Sequence, residues 1–122
     1  MHFTFENSAE CLRATLYGRN TVEETVQFIE ALAAQAREHS ASRILICVRG
    51  SRPIFKVEQY KISDYFRQLA GNNVRVALLA DSDEVRAAHQ YIEVLAAQHG
   101  ATVRAFRDES RALAWLQSQE KR

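Results

Sequence analysis

The chain has little proline, glycine and cysteine: one, four and two among 122 residues. Two cysteines are too few for a disulfide framework or a tetrahedral metal site. Cys47 lies inside an apolar run, and no histidine stands near Cys11 or Cys47 in the pattern of a catalytic pair, so we expect no thiol nucleophile. The four glycines form neither a Walker nor a Gly-x-Gly-x-x-Gly pattern, so no phosphate loop is predicted. With no nucleophile–base or metal-ligand spacing, we expect no catalytic centre and no cofactor.

Long apolar runs and a strong net charge are also missing. No stretch approaches the roughly 20 residues that span a bilayer. Residues 1–6 lack the basic start and the long apolar middle of a secretory signal, so we expect a cytoplasmic protein. A net charge of +1 argues against nucleic-acid binding. The length fits a single domain over residues 1–122.

The apolar residues that are present recur in a regular pattern. Continuous apolar runs at 43–48, 74–80 and 102–106 are each followed by a segment with helical period, which is typical of parallel strands joined by helices. Before them, alternating positions around Phe3 and Phe5 and around Leu12–Leu16 indicate two half-buried strands joined by a turn. The predicted fold is α/β, in the order ββαβαβαβα, with a mixed five-stranded sheet and helices packed against it. The strand residues expected to be buried are Ile44, Ile46, Val48, Val76, Leu78 and Val103.

Four helices follow from the spacing of apolar residues and from capping signals. The first begins at a capping box formed by Thr21 and Glu24 and runs to about residue 39. The second passes through residues 62–69 and ends at Gly71. The third begins from a cap at residue 82 or 83 and ends at Gly100, and the short last one, through residues 112–116, is capped from residue 108 or 110.

The segment after the third strand is the strongest candidate for ligand binding. Residues 43–75 carry seven basic and two acidic side chains, the one biased stretch of the chain. In open sheets, ligands gather outside the carboxyl ends of the strands, and helix starts attract anions. We expect a loop there, with its cations meeting an anionic group and its apolar residues meeting an acyl or ring portion; alternatively, the charges are solvated or paired with nearby acids. The candidate ligand-binding residues are Arg49, Ser51, Arg52, Phe55 and Lys56.

Two other groups of residues admit a structural and a chemical interpretation. The acidic residues at 81–84 follow the fourth strand; they could hold Mg²⁺, but capping of the next helix is favoured. His89 and Glu93 stand four apart, which is typical of a surface pair on a helix, and a metal shared between them would need a third ligand that the sequence does not supply. No metal site is therefore predicted.

The end of the chain carries a family resemblance. Residues 100–108, followed by Ala112-Leu113-Ala114-Trp115-Leu116, are similar to the ending of the bacterial SpoIIAA-like family. Its members are compact STAS-type domains, and the predicted ββαβαβαβα order fits over nearly the whole chain. The resemblance implies a mixed sheet with helices against it and no established enzymatic activity.

The resemblance implies two kinds of function. SpoIIAA-like domains resemble lipid-binding CRAL-TRIO domains, which implies an apolar pocket with a small amphipathic or anionic ligand and peripheral membrane contact. STAS relatives also include anti-sigma-factor antagonists, which bind protein partners and are switched by phosphorylation of a serine at the start of the helix after the third strand. The nearest residue here is Ser51, although this chain reads Arg49-Gly50-Ser51-Arg52-Pro53 where those antagonists carry an Asp-Ser-Ser/Thr-Gly motif.

Overall fold

The computed structural model describes residues 1–53 and 73–118. These residues form five strands and three helices. The elements are β1 (His2–Asn7), β2 (Leu12–Tyr17), α1 (Val22–His39), β3 (Arg43–Arg49), β4 (Arg75–Ala80), α2 (Asp83–Gln98), β5 (Thr102–Phe106) and α3 (Glu109–Gln117).

The five strands form one mixed sheet in which spatial order follows chain order, from β1 to β5. β1 pairs with β2 antiparallel, as the predicted hairpin requires, and β2, β3, β4 and β5 run parallel. The mixed α/β sheet and three of the four predicted helices are confirmed. The helix predicted through residues 62–69 lies outside the described residues.

Alternation along the strands gives the sheet two buried faces, because successive side chains of a strand point to opposite sides. The first core joins one face to α1 and α2, and the second joins the opposite face to α3. All six strand residues predicted to be buried lie in the first core. The second core consists of Cys11, Leu45, Cys47, Ala77, Leu79, Ala112, Trp115 and Leu116.

Side-chain caps begin all three described helices. The Thr21 hydroxyl accepts a hydrogen bond from the Glu24 amide, and the Glu24 carboxylate accepts one from the Thr21 amide, so the predicted capping box is present. Ser82 caps α2 and Asp108 caps α3, which resolves the two alternatives that the sequence left open. The described helices all lack the combination of length and apolar character needed to cross a bilayer.

Two arginines at the amino end of the sheet hold the last helix. Arg43 Nε donates to the carbonyl of Leu116 at 2.8 Å, and Arg75 donates to the carbonyl of Trp115 at 2.8 Å while lying over its ring. Arg75 also bonds to the carbonyl and the hydroxyl of Ser118. These cations satisfy carbonyls that a helix end leaves without intrahelical partners. Two of the seven basic residues in the biased segment therefore have a structural role.

Candidate functional site

Three loops meet at the carboxyl end of the sheet, where β2, β3 and β4 end side by side. The Gly18 amide donates to the carbonyl of Arg49 at 3.0 Å, which ties the end of β2 to the end of β3. The Gly50 amide donates to Oδ2 of Asp81 at 2.9 Å, which ties β3 to β4. Gly50 has a φ of 55°, a left-handed conformation that glycine adopts without strain. The three loops therefore form one connected surface.

Ser51 is half-buried and joins two of these loops through the backbone. Its hydroxyl accepts a hydrogen bond from the Arg19 amide at 3.0 Å and donates one to the carbonyl of Arg49 at 3.1 Å. The Arg52 amide donates to the carbonyl of Arg19 at 2.9 Å. The loop after β3 is thus fastened to the loop after β2.

The predicted ligand-binding residues are distributed as follows. Arg49, Ser51 and Arg52 lie together at this end of the sheet, and the side chains of both arginines are exposed. Phe55 and Lys56 lie outside the described residues. The structure therefore brings three of the five predicted residues together.

Arg19, which the sequence interpretation passed over, is the most unusual side chain at this end. It is only 6% exposed, and its guanidinium donates to the carbonyl of Arg52. No carboxylate among the described residues forms an ion pair with it, and its Nε has no hydrogen-bond partner there. Burial lowers its pKa, and the charge of Glu24 offsets only part of that shift. A buried cation without an acidic partner is costly, because neither water nor an opposite charge compensates for its desolvation.

His89 is the second buried polar side chain here, at 3% exposure. It lies on α2 on the same side as Val85 and Ile92, which contact the first core. Burial, together with the nearby positive charge of Arg19, lowers the pKa of His89 to about 4, so its imidazole is neutral at pH 7. Its Nδ1 has no hydrogen-bond partner within the described part of the chain.

The burial of His89 corrects the prediction that it forms a surface pair with Glu93. The histidine falls within the apolar stripe of α2, so it points into the protein and not along its surface. Glu93 instead accepts a hydrogen bond from the Ala105 amide at 2.9 Å. Within residues 1–53 and 73–118, no cluster of three or more potential metal ligands is present.

A separate cleft of about 210 Å³ opens on the α3 side of the same sheet end. Arg49, Asp81, Arg107 and Glu109 contribute its charged lining. Two of these four charges are already paired: Arg107 pairs with Asp83, and Glu109 accepts from the guanidinium of Arg13 at 2.7 Å. That hydrogen bond lowers the pKa of Glu109. The cleft is therefore polar and partly self-compensated.

Both cysteines are buried, and neither has the surroundings of an activated thiol. Burial raises the pKa of Cys47, which lines this cleft, although the charge of Arg13 offsets part of the effect. Burial likewise raises the pKa of Cys11. A raised pKa keeps each sulfur in the less reactive thiol form at neutral pH.

The acidic loop after β4 has the capping role that was favoured for it. Ser82 caps α2, and Asp83 and Glu84 occupy the first turn of that helix. Asp81 binds the Gly50 amide of the neighbouring loop. These carboxylates therefore complement the helix dipole and join two loops.

Two signals in the sequence point to the residues that were missed. Arg19 directly follows Gly18 at the end of β2, and that strand also contributes its carboxyl end to the parallel part of the sheet. His89 stands four residues after Val85 and three before Ile92, in the apolar stripe of its helix. The spacing on α2 is visible in the sequence, whereas the signal for Arg19 also requires knowing that β2 pairs in parallel with β3.

Comparison with known proteins gives one match. The family model described as SpoIIAA-like matches residues 11–117, which is most of the chain. No curated protein and no solved structure matches.

Proposed function

The chain belongs to the SpoIIAA-like family of STAS-type domains, and we propose that it binds a small amphipathic or anionic ligand where β2 and β3 end. The observation that supports this function is the buried guanidinium of Arg19, which has no acidic partner among the described residues. An anionic group placed beside it would compensate its charge in a region of low dielectric, where such an interaction is strong. Ile92, which is partly buried against the first core on the same side of α2 as His89, offers apolar surface to a hydrophobic portion of the ligand.

The loop after β3 completes the proposed site. Arg52 is fastened to Arg19 by two hydrogen bonds, so a ligand at Arg19 also meets this loop. Arg49, Ser51 and Arg52, with Phe55 and Lys56 from the sequence prediction, are the residues proposed to line it. The exposed cations Arg49 and Arg52 are available to the outer part of an anionic head group.

The first experiment asks whether the protein carries a small molecule. Native mass spectrometry of the purified chain should show a bound species that disappears on denaturation. Arg19→Gln should lose that species, because it removes the buried charge, whereas Arg37→Gln, an exposed arginine on α1, should keep it. Retention of the same species by Arg19→Gln would contradict the proposed place of binding.

Peripheral membrane contact is the further part of this proposal. A surface cation near an anionic membrane contributes only about 1 kcal/mol, so binding should be weak and sensitive to salt. Co-sedimentation with phosphatidylserine-containing vesicles should decrease in an Arg52→Ala/Lys56→Ala variant and in high salt. Equal, salt-independent sedimentation of the variant and the parent protein would rule out membrane contact through this loop.

A second proposed function is an interaction switch for a protein partner, of the anti-sigma-factor-antagonist type. The observation that favours it is the place of Ser51, beside Arg49, Arg52 and Arg19, whose charges could pair with a phosphate group. Against it, the hydroxyl of Ser51 already bonds to backbone on both sides. Intact-mass measurement after incubation with partner kinases tests this function, and an unphosphorylated Ser51 would leave ligand binding as the better account.

We also propose that the domain has no catalytic activity, since burial raises the pKa of both thiols and Nδ1 of His89 has no hydrogen-bond partner among the described residues. A broad hydrolase screen should give no turnover. Activity that disappears in Cys47→Ala or His89→Ala would overturn this expectation.

A further inference from the structure

Two buried polar atoms at this end of the sheet come from different elements and have no hydrogen-bond partner among the described residues. Nε of Arg19 comes from the turn after β2, and Nδ1 of His89 comes from the middle of α2. The two side chains are near enough for the charge of Arg19 to act on the imidazole. Buried polar atoms in folded proteins are almost always hydrogen-bonded, so each of these two side chains has a polar atom free to bond to a ligand group.

We propose that Arg19 and His89 form one buried oxyanion site, which binds the single carboxylate or phosphate group of a ligand with an apolar body. This inference rests on the ligand binding proposed above and adds the chemical class of the ligand and a second binding residue. Both residues lie outside the set that the sequence identified.

The chemistry of the two side chains selects an anion. A guanidinium offers only donors, and it would repel a metal ion or an ammonium group. A neutral imidazole donates through one nitrogen, so it can add a second hydrogen bond to the same oxyanion. An oxyanion between them would receive a charge-assisted hydrogen bond from Arg19, which is the stronger kind.

The surroundings of Arg19 and His89 favour a ligand with one charged group on an apolar body. His89 is flanked on α2 by Val85 and Ile92, both of which contact the first core. Arg19 carries a single positive charge, so it compensates one negative charge well and a second charge poorly. A monocarboxylic acid with an alkyl or ring portion fits these conditions best, because a phosphate monoester carries close to two negative charges at pH 7.

The experiment follows the imidazole nitrogens of His89 by NMR in ¹⁵N-histidine-labelled protein at pH 7. The probes are sodium decanoate, inorganic phosphate and decanol, the last matching the alkyl chain of decanoate without its charge. Decanoate or phosphate should shift the His89 resonances in a saturable manner, and decanol should not. The resonances of His39, which is exposed at the end of α1, serve as the internal control.

Variants separate this inference from the wider function. Arg19→Gln and His89→Phe should each weaken decanoate binding by about tenfold or more, because each loses a donor to the anion. Arg37→Gln and His39→Phe should retain the parent affinity. Circular dichroism checks that the variants fold, and His89→Phe, which keeps the apolar stripe of α2, provides an independent test if Arg19→Gln does not fold.

The outcomes distinguish the head group from the body of the ligand. A response to inorganic phosphate alone would support the oxyanion site with a free or headgroup phosphate, and a response to decanoate would support it with a carboxylate. Decanol binding as tightly as decanoate would overturn the oxyanion site and leave an apolar ligand site. Unchanged His89 resonances with all three probes, or unchanged affinity in both variants, would overturn the inference as well, while a bound species in native mass spectrometry would still support the wider proposal.

Discussion

The two ends of the sheet use arginine in opposite ways. At the amino end, Arg43 and Arg75 donate to the last carbonyls of α3, and Arg75 also lies over the Trp115 ring. At the carboxyl end, Arg19 is more deeply buried than either, yet its Nε has no partner among the described residues. The first arrangement stabilises the fold. The second imposes a cost on the free protein, and such a cost is expected where a charge is reserved for a ligand.

This difference also explains why the basic bias of residues 43–75 was only partly informative. The bias includes Arg43 and Arg75, which belong to the amino end and hold α3. The residue that we consider most important for binding, Arg19, lies outside the biased segment. Counting charges along the chain therefore grouped arginines that lie at opposite ends of the sheet.

The largest expected effect concerns pH and His89. Its folded pKa of about 4 lies below the unfolded value of 6.5, so between these values the unfolded chain binds a proton that the folded chain does not. The free energy of unfolding should therefore decrease as pH falls from 6.5 to 4, by about 3 kcal/mol in total from this residue. Urea unfolding at several pH values measures it.

His89→Asn should remove that part of the pH dependence, and His39→Asn should keep it. If the free energy of unfolding of the parent and of His89→Asn changed with pH in the same way, His89 would not be buried as a neutral group in the free protein. The carboxyl end of the sheet would then differ less from the amino end.

At the amino end, Arg75→Ala should lower the free energy of unfolding by about 2 kcal/mol. The substitution removes one donor from the carbonyls of Trp115 and Ser118 and also removes the contact with the Trp115 ring. Urea denaturation measures the effect, and Arg104→Ala, an exposed arginine on β5, is the matched control with an expected change within about 0.5 kcal/mol. Equal effects of the two substitutions would contradict a structural role for Arg75.

At the carboxyl end, Arg19→Met should leave stability unchanged or raise it by about 1 kcal/mol. Replacing a buried, unpaired charge with an apolar side chain of similar length removes a desolvation cost, although it also removes the bond to the carbonyl of Arg52. Denaturation and decanoate titration on the same variant should show retained stability with lost binding. A destabilisation as large as that of Arg75→Ala would show that Arg19 is a structural residue.

The smallest expected effect concerns the ion pair between Arg13 and Glu109. Because both side chains are partly exposed, Glu109→Gln should cost about 0.5 kcal/mol at pH 7. A double-mutant cycle with Arg13→Gln isolates the pair from other effects. A coupling energy above about 1 kcal/mol would place this pair, and the cleft that it borders, among the main determinants of stability.

The sheet was predictable because its signals are local. Apolar runs with helical segments between them indicated parallel strands, and Thr21 with Glu24 indicated the start of α1. The alternation within β3 also separates the two cores, since Ile44 and Ile46 face one side and Leu45 and Cys47 the other. These features depend only on the spacing of apolar and capping residues along the chain.

The site was less predictable, because its key residues meet through the fold. Arg19 and His89 are 70 positions apart in the sequence, and the burial of each depends on elements distant along the chain. The sequence marked the loop around Ser51 but treated β2 mainly as part of the hairpin. Because β2 is also the first parallel strand, the turn after it belongs to the carboxyl end of the sheet, where ligands gather in open α/β sheets.

The agreement between spatial strand order and chain order has a consequence for synthesis on the ribosome. Each new strand joins the edge of the sheet already formed, so the sheet can grow from its amino-terminal side as the chain emerges. The second core is different, because α3 is the last element and covers that face with Ala112, Trp115 and Leu116. Among the described elements, α3 is the one that covers Leu45 and Leu79, so this cover forms only after residues 109–118 leave the exit tunnel. This late-closing face is therefore the part of the nascent protein that chaperones would need to protect.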